Sequence, residues 1–87
     1  MQSFFQKKSI EDKQEVVEEA LLENYDTYYR LAYSYVKNPE DASDIVQEGA
    51  YQAIRKCQSL EQTQYVKTWL YRLMLNETFN YCRKRQK

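Results

Sequence analysis

NPEDASDIVQEGAYQAIR, from Asn38 to Arg55, carries its own helix start signal and two unlike faces. Asn38 can cap, because its side-chain oxygen can accept an orphan N–H of the first turn. Pro39 suits the first helical position, where its φ is already helical and no N–H is needed. Glu40 and Asp41 place negative charge at the positive end of the helix. Ala42, Ile45, Val46, Gly49, Ala50, Ala53 and Ile54 recur at helical steps and form the inward stripe. Most of them are small, so a neighbouring helix can approach closely. Asp44, Gln47, Glu48, Tyr51 and Arg55 fall at i, i+3, i+4, i+7 and i+11, one polar ridge on the opposite face. The helix is expected to end near Cys57.

Working outward from this helix, the chain reads as helix on both sides. One Gly and one Pro in 87 residues leave little material for hairpins, and good helix formers dominate. A first helix is expected to start near Ser9, with Ser9 and Asp12 as a weak capping box, and to run to about Lys37. Val17, Leu21, Tyr25, Tyr28, Ala32 and Tyr35 then form one buried stripe, with a bend allowed between Asn24 and Asp26. A polar stretch from Gln58 to Gln64 breaks the pattern. A third helix resumes with Val66, Trp69, Leu70, Leu73 and Met74 facing the core, and closes in the basic run Arg83, Lys84, Arg85 and Lys87. The expected fold is all-α, a compact bundle of three principal helices, the first open to a bend.

Size and composition narrow the function. At 87 residues the chain is one domain, which buries only about 60% of the surface its unfolded form exposes. Cys57 and Cys82 lie 25 positions apart, with no CxxC pair and no histidine in the chain, so neither a zinc site nor a disulfide scaffold is expected. Free thiols suit a reducing cytosol, which sets the expected location. No stretch approaches the roughly 20 apolar residues that span a bilayer, and the opening MQSFFQKK lacks a signal-peptide core, so no membrane insertion is expected. Catalysis has no visible basis either: there is no histidine, no paired-carboxylate site and no Gly-rich phosphate loop. No metal and no cofactor are expected.

The net charge of zero conceals a division. Residues 1–54 hold 5 basic and 11 acidic side chains, whereas residues 55–87 hold 8 basic and 2 acidic. A positive half can gather on phosphate, and a negative half is suited to a basic protein surface. Any single charge can equally be a solvated one, and the terminal basic run can simply complement its helix dipole. Nine tyrosines, three phenylalanines and one tryptophan add a second signal. Tyr25, Tyr28 and Tyr35 belong with packing. Tyr65, Trp69 and Tyr71 differ because Lys67 and Arg72 stand among them, and interleaved aromatic and cationic residues can stack bases while neutralising phosphates.

The run KNPEDASDIVQEGAYQAIRK (Lys37–Lys56), followed after a short loop by YVKTWLYRLMLNETFNYCRKR (Tyr65–Arg85), resembles region 2 of the extracytoplasmic-function sigma factors of the sigma-70 family. The likeness covers residues 22 to 87 and rests on two ordered blocks, DxxQE and TWLYR…N. It implies a sigma region 2 domain over residues 10–87 behind an extension at 1–9. It also implies no enzymatic activity. Asp44, Gln47 and Glu48 would contact the basic clamp helices of the polymerase β′ subunit, with Tyr51 and Arg55 on the same ridge, through charge-assisted hydrogen bonds. The loop and third helix would receive the non-template strand of the promoter −10 element, with one base flipped out of the stack. Lys56, Leu60 and Tyr65 would frame the pocket, Asn76 would read a base edge and Trp69 would stand near the strand junction. Lys67, Arg72, Arg83 and Lys84 would hold backbone phosphate. An anti-sigma factor is a further implied partner.

Some positions depart from the family pattern. The loop QSLEQTQ lacks the Gly and Phe common in relatives, with Leu60 where an aromatic often stands, and Glu77 replaces a residue that is often apolar. Relatives also carry a second helical domain, region 4, for the −35 element. Its absence here leaves two readings, a piece of a longer protein or a stand-alone region 2. Two other function classes stay open on the residues alone. One is a helical protein-interaction module that never touches nucleic acid, and the other is a general basic nucleic-acid binder without sequence preference.

Overall fold

The computed structural model describes residues 12–85, all helix, turn and short connection. Four helices follow one another: α1 (Lys13–Glu23), α2 (Tyr25–Val36), α3 (Pro39–Arg55) and α4 (Val66–Arg85). Two single 3-10 turns, Cys57–Ser59 and Thr63–Tyr65, shape the link between α3 and α4. Among the described residues the expected bend falls at Asn24, where one non-helical residue divides the first helix into α1 and α2. At Asn24 the backbone leaves helical geometry (φ −117°, ψ 18°), and its side-chain amide donates to the Ala20 carbonyl at 2.9 Å. A short polar side chain competing for helix carbonyls is a recognised cause of such breaks.

The expected cap at Ser9 and the extension at 1–9 lie outside the described residues, as does Lys87. Within them Asp12 is itself the N-cap of α1, its Oδ1 accepting from the Gln14 N–H at 3.1 Å and the Glu15 N–H at 3.4 Å. The start of α3 is as expected. Asn38 Oδ1 accepts from the Asp41 N–H at 2.9 Å, and Pro39 holds the first position. Lys37, just before, turns the chain through a left-handed residue (φ 55°), which lets α2 end and α3 begin with one residue between Lys37 and Pro39.

The core is a single cluster. Val17 and Ala20 of α1, Tyr28 and Ala32 of α2, Ala42, Ile45, Val46 and Ala53 of α3, and Leu70 and Met74 of α4 are buried together with Cys57 and Leu60. Two residues expected on the buried stripe are not in it: Tyr25 and Tyr35 are 43% and 48% exposed. Both lie at the ends of α2, Tyr25 at its first residue and Tyr35 in its last turn, on either side of buried Tyr28 and Ala32. Tyr35 instead meets Phe79 of α4 edge to face, ring centroids 5.3 Å apart. Gly49 lies where α3 meets the end of the Met74 side chain of α4. A Cβ there would collide with Met74 Sδ, the far part of a flexible but buried side chain. Buried Thr78 bonds back to the Met74 carbonyl at 2.9 Å, so its hydroxyl is satisfied inside the core.

Candidate functional site

The polar ridge stands on α3 as one solvent face. Asp44, Gln47, Glu48, Tyr51 and Arg55 are all exposed, while Ile45, Val46, Gly49 and Ala53 between them are buried. The ridge is laced along its length. Gln47 donates to Ser43 Oγ at 3.3 Å, Gln52 donates to Glu48 at 2.9 Å and Arg55 donates to Gln52 at 3.2 Å. The Arg55 guanidinium also lies 5.8 Å from the Tyr51 ring centroid. These contacts hold long side chains in place at the surface, so less freedom is lost when a partner arrives.

The loop before α4 forms an open hollow against that helix. Leu60, Glu61, Gln62, Tyr65, Trp69 and Arg72 are among its walls. Leu60 is 3% exposed and makes the floor, whereas Tyr65 is 58% exposed and stands at the rim. Trp69 is half-buried, its ring packed on the core while part of it lines the hollow. Lys56, Lys67 and Asn76 are exposed but outside these walls. Lys56 caps the end of α3, Lys67 stands in the first turn of α4, and Asn76 is one turn beyond Arg72. The loop is fastened to α1 as well, where Lys13 Nζ donates to the Gln58 carbonyl at 3.5 Å.

Arg83 and Lys84 sit elsewhere. They are 11 and 12 residues beyond Arg72, which is about 16–18 Å along a helix. Because α3 and α4 run antiparallel, this end of α4 returns to the acidic start of α3. Tyr81 donates to Asp41 Oδ1 at 2.7 Å, and Arg85 pairs with Asp41 Oδ2 at 2.6 Å. The Arg85 guanidinium also lies 5.8 Å from the Tyr81 ring centroid. The Tyr81 hydroxyl first, then Arg85, hold the Asp41 carboxyl below the usual carboxylate range, and the bond to Asp41 pushes the Tyr81 phenol up. Sequence reading misses this clasp, since its partners are 40 and 44 positions apart and carry no local signal. Beside the clasp runs a groove with Asp44, Glu48 and Gln52 on one wall and Glu77, Arg83 and Lys84 on the other. The structure therefore divides the sequence-predicted site residues between two ends of α4. Leu60, Tyr65, Trp69 and Arg72 come together at one, and Asp44, Glu48, Arg83 and Lys84 at the other.

Among the described residues no cluster of His, Cys, Asp and Glu could hold a metal ion, and no helix is long and apolar enough to cross a membrane. A family model described as Sigma-70 region 2 matches residues 20–87. RNA polymerase sigma factor SigV of Bacillus subtilis (strain 168) is 38% identical over 60 residues, which cover 69% of this chain and 36% of that protein. ECF RNA polymerase sigma factor SigW of the same organism is 34% identical over 61 residues, covering 70% of this chain and 33% of that protein. The chain thus spans about a third of the length of the curated relatives it matches. No solved structure matches it.

Proposed function

This chain belongs to the Sigma-70 region 2 family, and from that premise we propose that it serves RNA polymerase as a sigma factor domain, docking on the β′ clamp helices and capturing the non-template strand of the promoter −10 element. The observation that carries this reading is the presence of two separate surfaces within the matched segment. One is the laced ridge Asp44, Gln47, Glu48, Tyr51 and Arg55, and the other is the hollow of Leu60, Tyr65, Trp69 and Arg72.

The chemistry of each surface suits its partner. Two carboxylates and an amide, exposed and aligned, can accept charge-assisted hydrogen bonds from a basic helix pair. The hollow offers an apolar floor and aromatic sides to a base leaving its stack. Unstacking costs a few kcal/mol, and stacking on aromatic side chains returns about 1–3 kcal/mol per base. Lys56, Lys67 and Arg72 flank the hollow and supply phosphate contacts that position the strand, while Asn76 offers an amide to a base edge. The work is binding, with no bond made or broken in the promoter.

The experiment is a double charge reversal, Asp44→Arg with Glu48→Arg, on the full chain. Removing a charged hydrogen bond costs about 1.5–3 kcal/mol, so affinity for bacterial core RNA polymerase should fall at least about a hundredfold. Both residues are exposed, so helical circular dichroism should be unchanged. Unaltered polymerase affinity would remove the ridge from the docking surface. Strand capture is tested by salt-sensitive binding to a single-stranded −10 oligonucleotide, which a pure protein-interaction module would not show.

A further inference from the structure

We infer that Arg83 and Lys84 act at a protein interface and not on DNA: the groove between α3 and α4 takes a partner helix that presents cations to Asp44, Glu48 and Glu77 and a carboxylate to Arg83 and Lys84. This rests on the reading of Asp44 and Glu48 as docking residues and extends that surface onto a second helix.

The placement follows from the antiparallel register. Asp41 is level with Tyr81 and Arg85, and Gly49 is level with Met74 and Glu77. Glu48 and Glu77 therefore share one end of the groove, and Asp44 shares the other with Arg83 and Lys84. Glu77 and Lys84 are seven residues apart on α4, about 10 Å or two helical turns. A partner helix lying along the groove meets both with side chains spaced i and i+7. The clasp fixes this end of α4 against α3, so the two cations are held at the groove. Of the basic run, Arg85 is already engaged by Asp41 and Arg83 donates to Asn80, while Lys84 forms no ion pair among the described residues.

A nucleic-acid strand fits the same groove poorly. A phosphate brought to Lys84 enters walls that also hold Asp44, Glu48 and Glu77, three carboxylates against two cations. Like charges brought together on association are strongly disfavoured, whereas a helix of mixed charge satisfies both ends. Glu77, a departure from the family pattern at the level of sequence, becomes part of the acidic wall.

Three variants of the full chain test this against core RNA polymerase and a single-stranded −10 oligonucleotide over a salt series. Lys84→Glu should weaken polymerase binding by about tenfold. Arg83→Ala with Lys84→Ala should leave the salt dependence of strand binding unchanged. Residues bound to phosphate would instead flatten it by about 0.7 log unit for each one replaced, and that result would overturn the inference. The control is Asp44→Arg with Glu48→Arg. If the control abolishes polymerase binding and Lys84→Glu does not weaken it, the groove extension alone fails. If the control has no effect, the docking reading fails and the inference falls with it.

Discussion

Asp41 reads in the sequence as an ordinary helix-start acid, and it does sit in the first turn of α3. Its larger role is to accept from Tyr81 and Arg85 at once, and this gives the clasp a pH dependence of its own. A carboxyl held low contributes stability that is complete above its unfolded value, near 3.9, and is lost as pH falls through the lower folded value. A phenol held high contributes stability that is complete below about 10 and is lost as pH rises through its higher folded value. Between those limits the clasp should be indifferent to pH. A side-chain titration by NMR checks this. In Asp41→Asn the Tyr81 phenol should return toward its ordinary value, and an identical titration in both proteins would mean the bond is not formed in solution.

At the scale of elements, α3 is legible in the sequence because every signal agrees: the Asn38 cap, Pro39, the acidic first turn and the small inward stripe all describe one helix. The start of α4 at Val66 is equally plain. What escapes is anything set by packing between distant segments. Tyr25 and Tyr35 keep the helical period of buried Tyr28 and Ala32 but stand at the two ends of α2, and Thr78 looks polar although the Met74 carbonyl lets it be buried. The two surfaces are legible as residue sets but not as places, since only the α3–α4 pairing carries Arg83 and Lys84 to the acidic wall. Within that pairing Gly49 faces the end of the Met74 side chain. Gly49→Ala gains about 1 kcal/mol of helix propensity but drives a methyl into Met74, and overpacking costs about 1–3 kcal/mol. Net destabilisation is expected in the native background. With Met74→Val, which removes the obstructing sulfur, the same Gly49→Ala change should become neutral or stabilising. Denaturant midpoints of the four proteins give the cycle, and equal effects in both backgrounds would separate Gly49 from Met74.

For the whole molecule, the division of charge along the sequence is not a division in space. Folding brings the basic end of α4 onto the acidic start of α3 and leaves Lys56, Lys67 and Arg72 as the cations beside the hollow. Strand binding should therefore answer to these three. Replacing all three with Ala should flatten the dependence of single-strand affinity on salt by about 0.7 log unit for each phosphate no longer neutralised, about two units together. A slope equal to that of the unaltered chain would mean that phosphate is held elsewhere.

The loop beneath the hollow does not stand alone: Lys13 ties it to α1, and α1 packs against the Cys57–Ser59 turn. α1 is joined along the chain to α2 through a single non-helical residue, Asn24, and seated in the core by Val17 and Ala20. Fraying of α1 would relax the hollow's floor, and a base seated there would slow amide exchange in a helix it never touches. Affinity for the strand would thus be tuned by the sequence of α1, through the fraction of time the floor is in place.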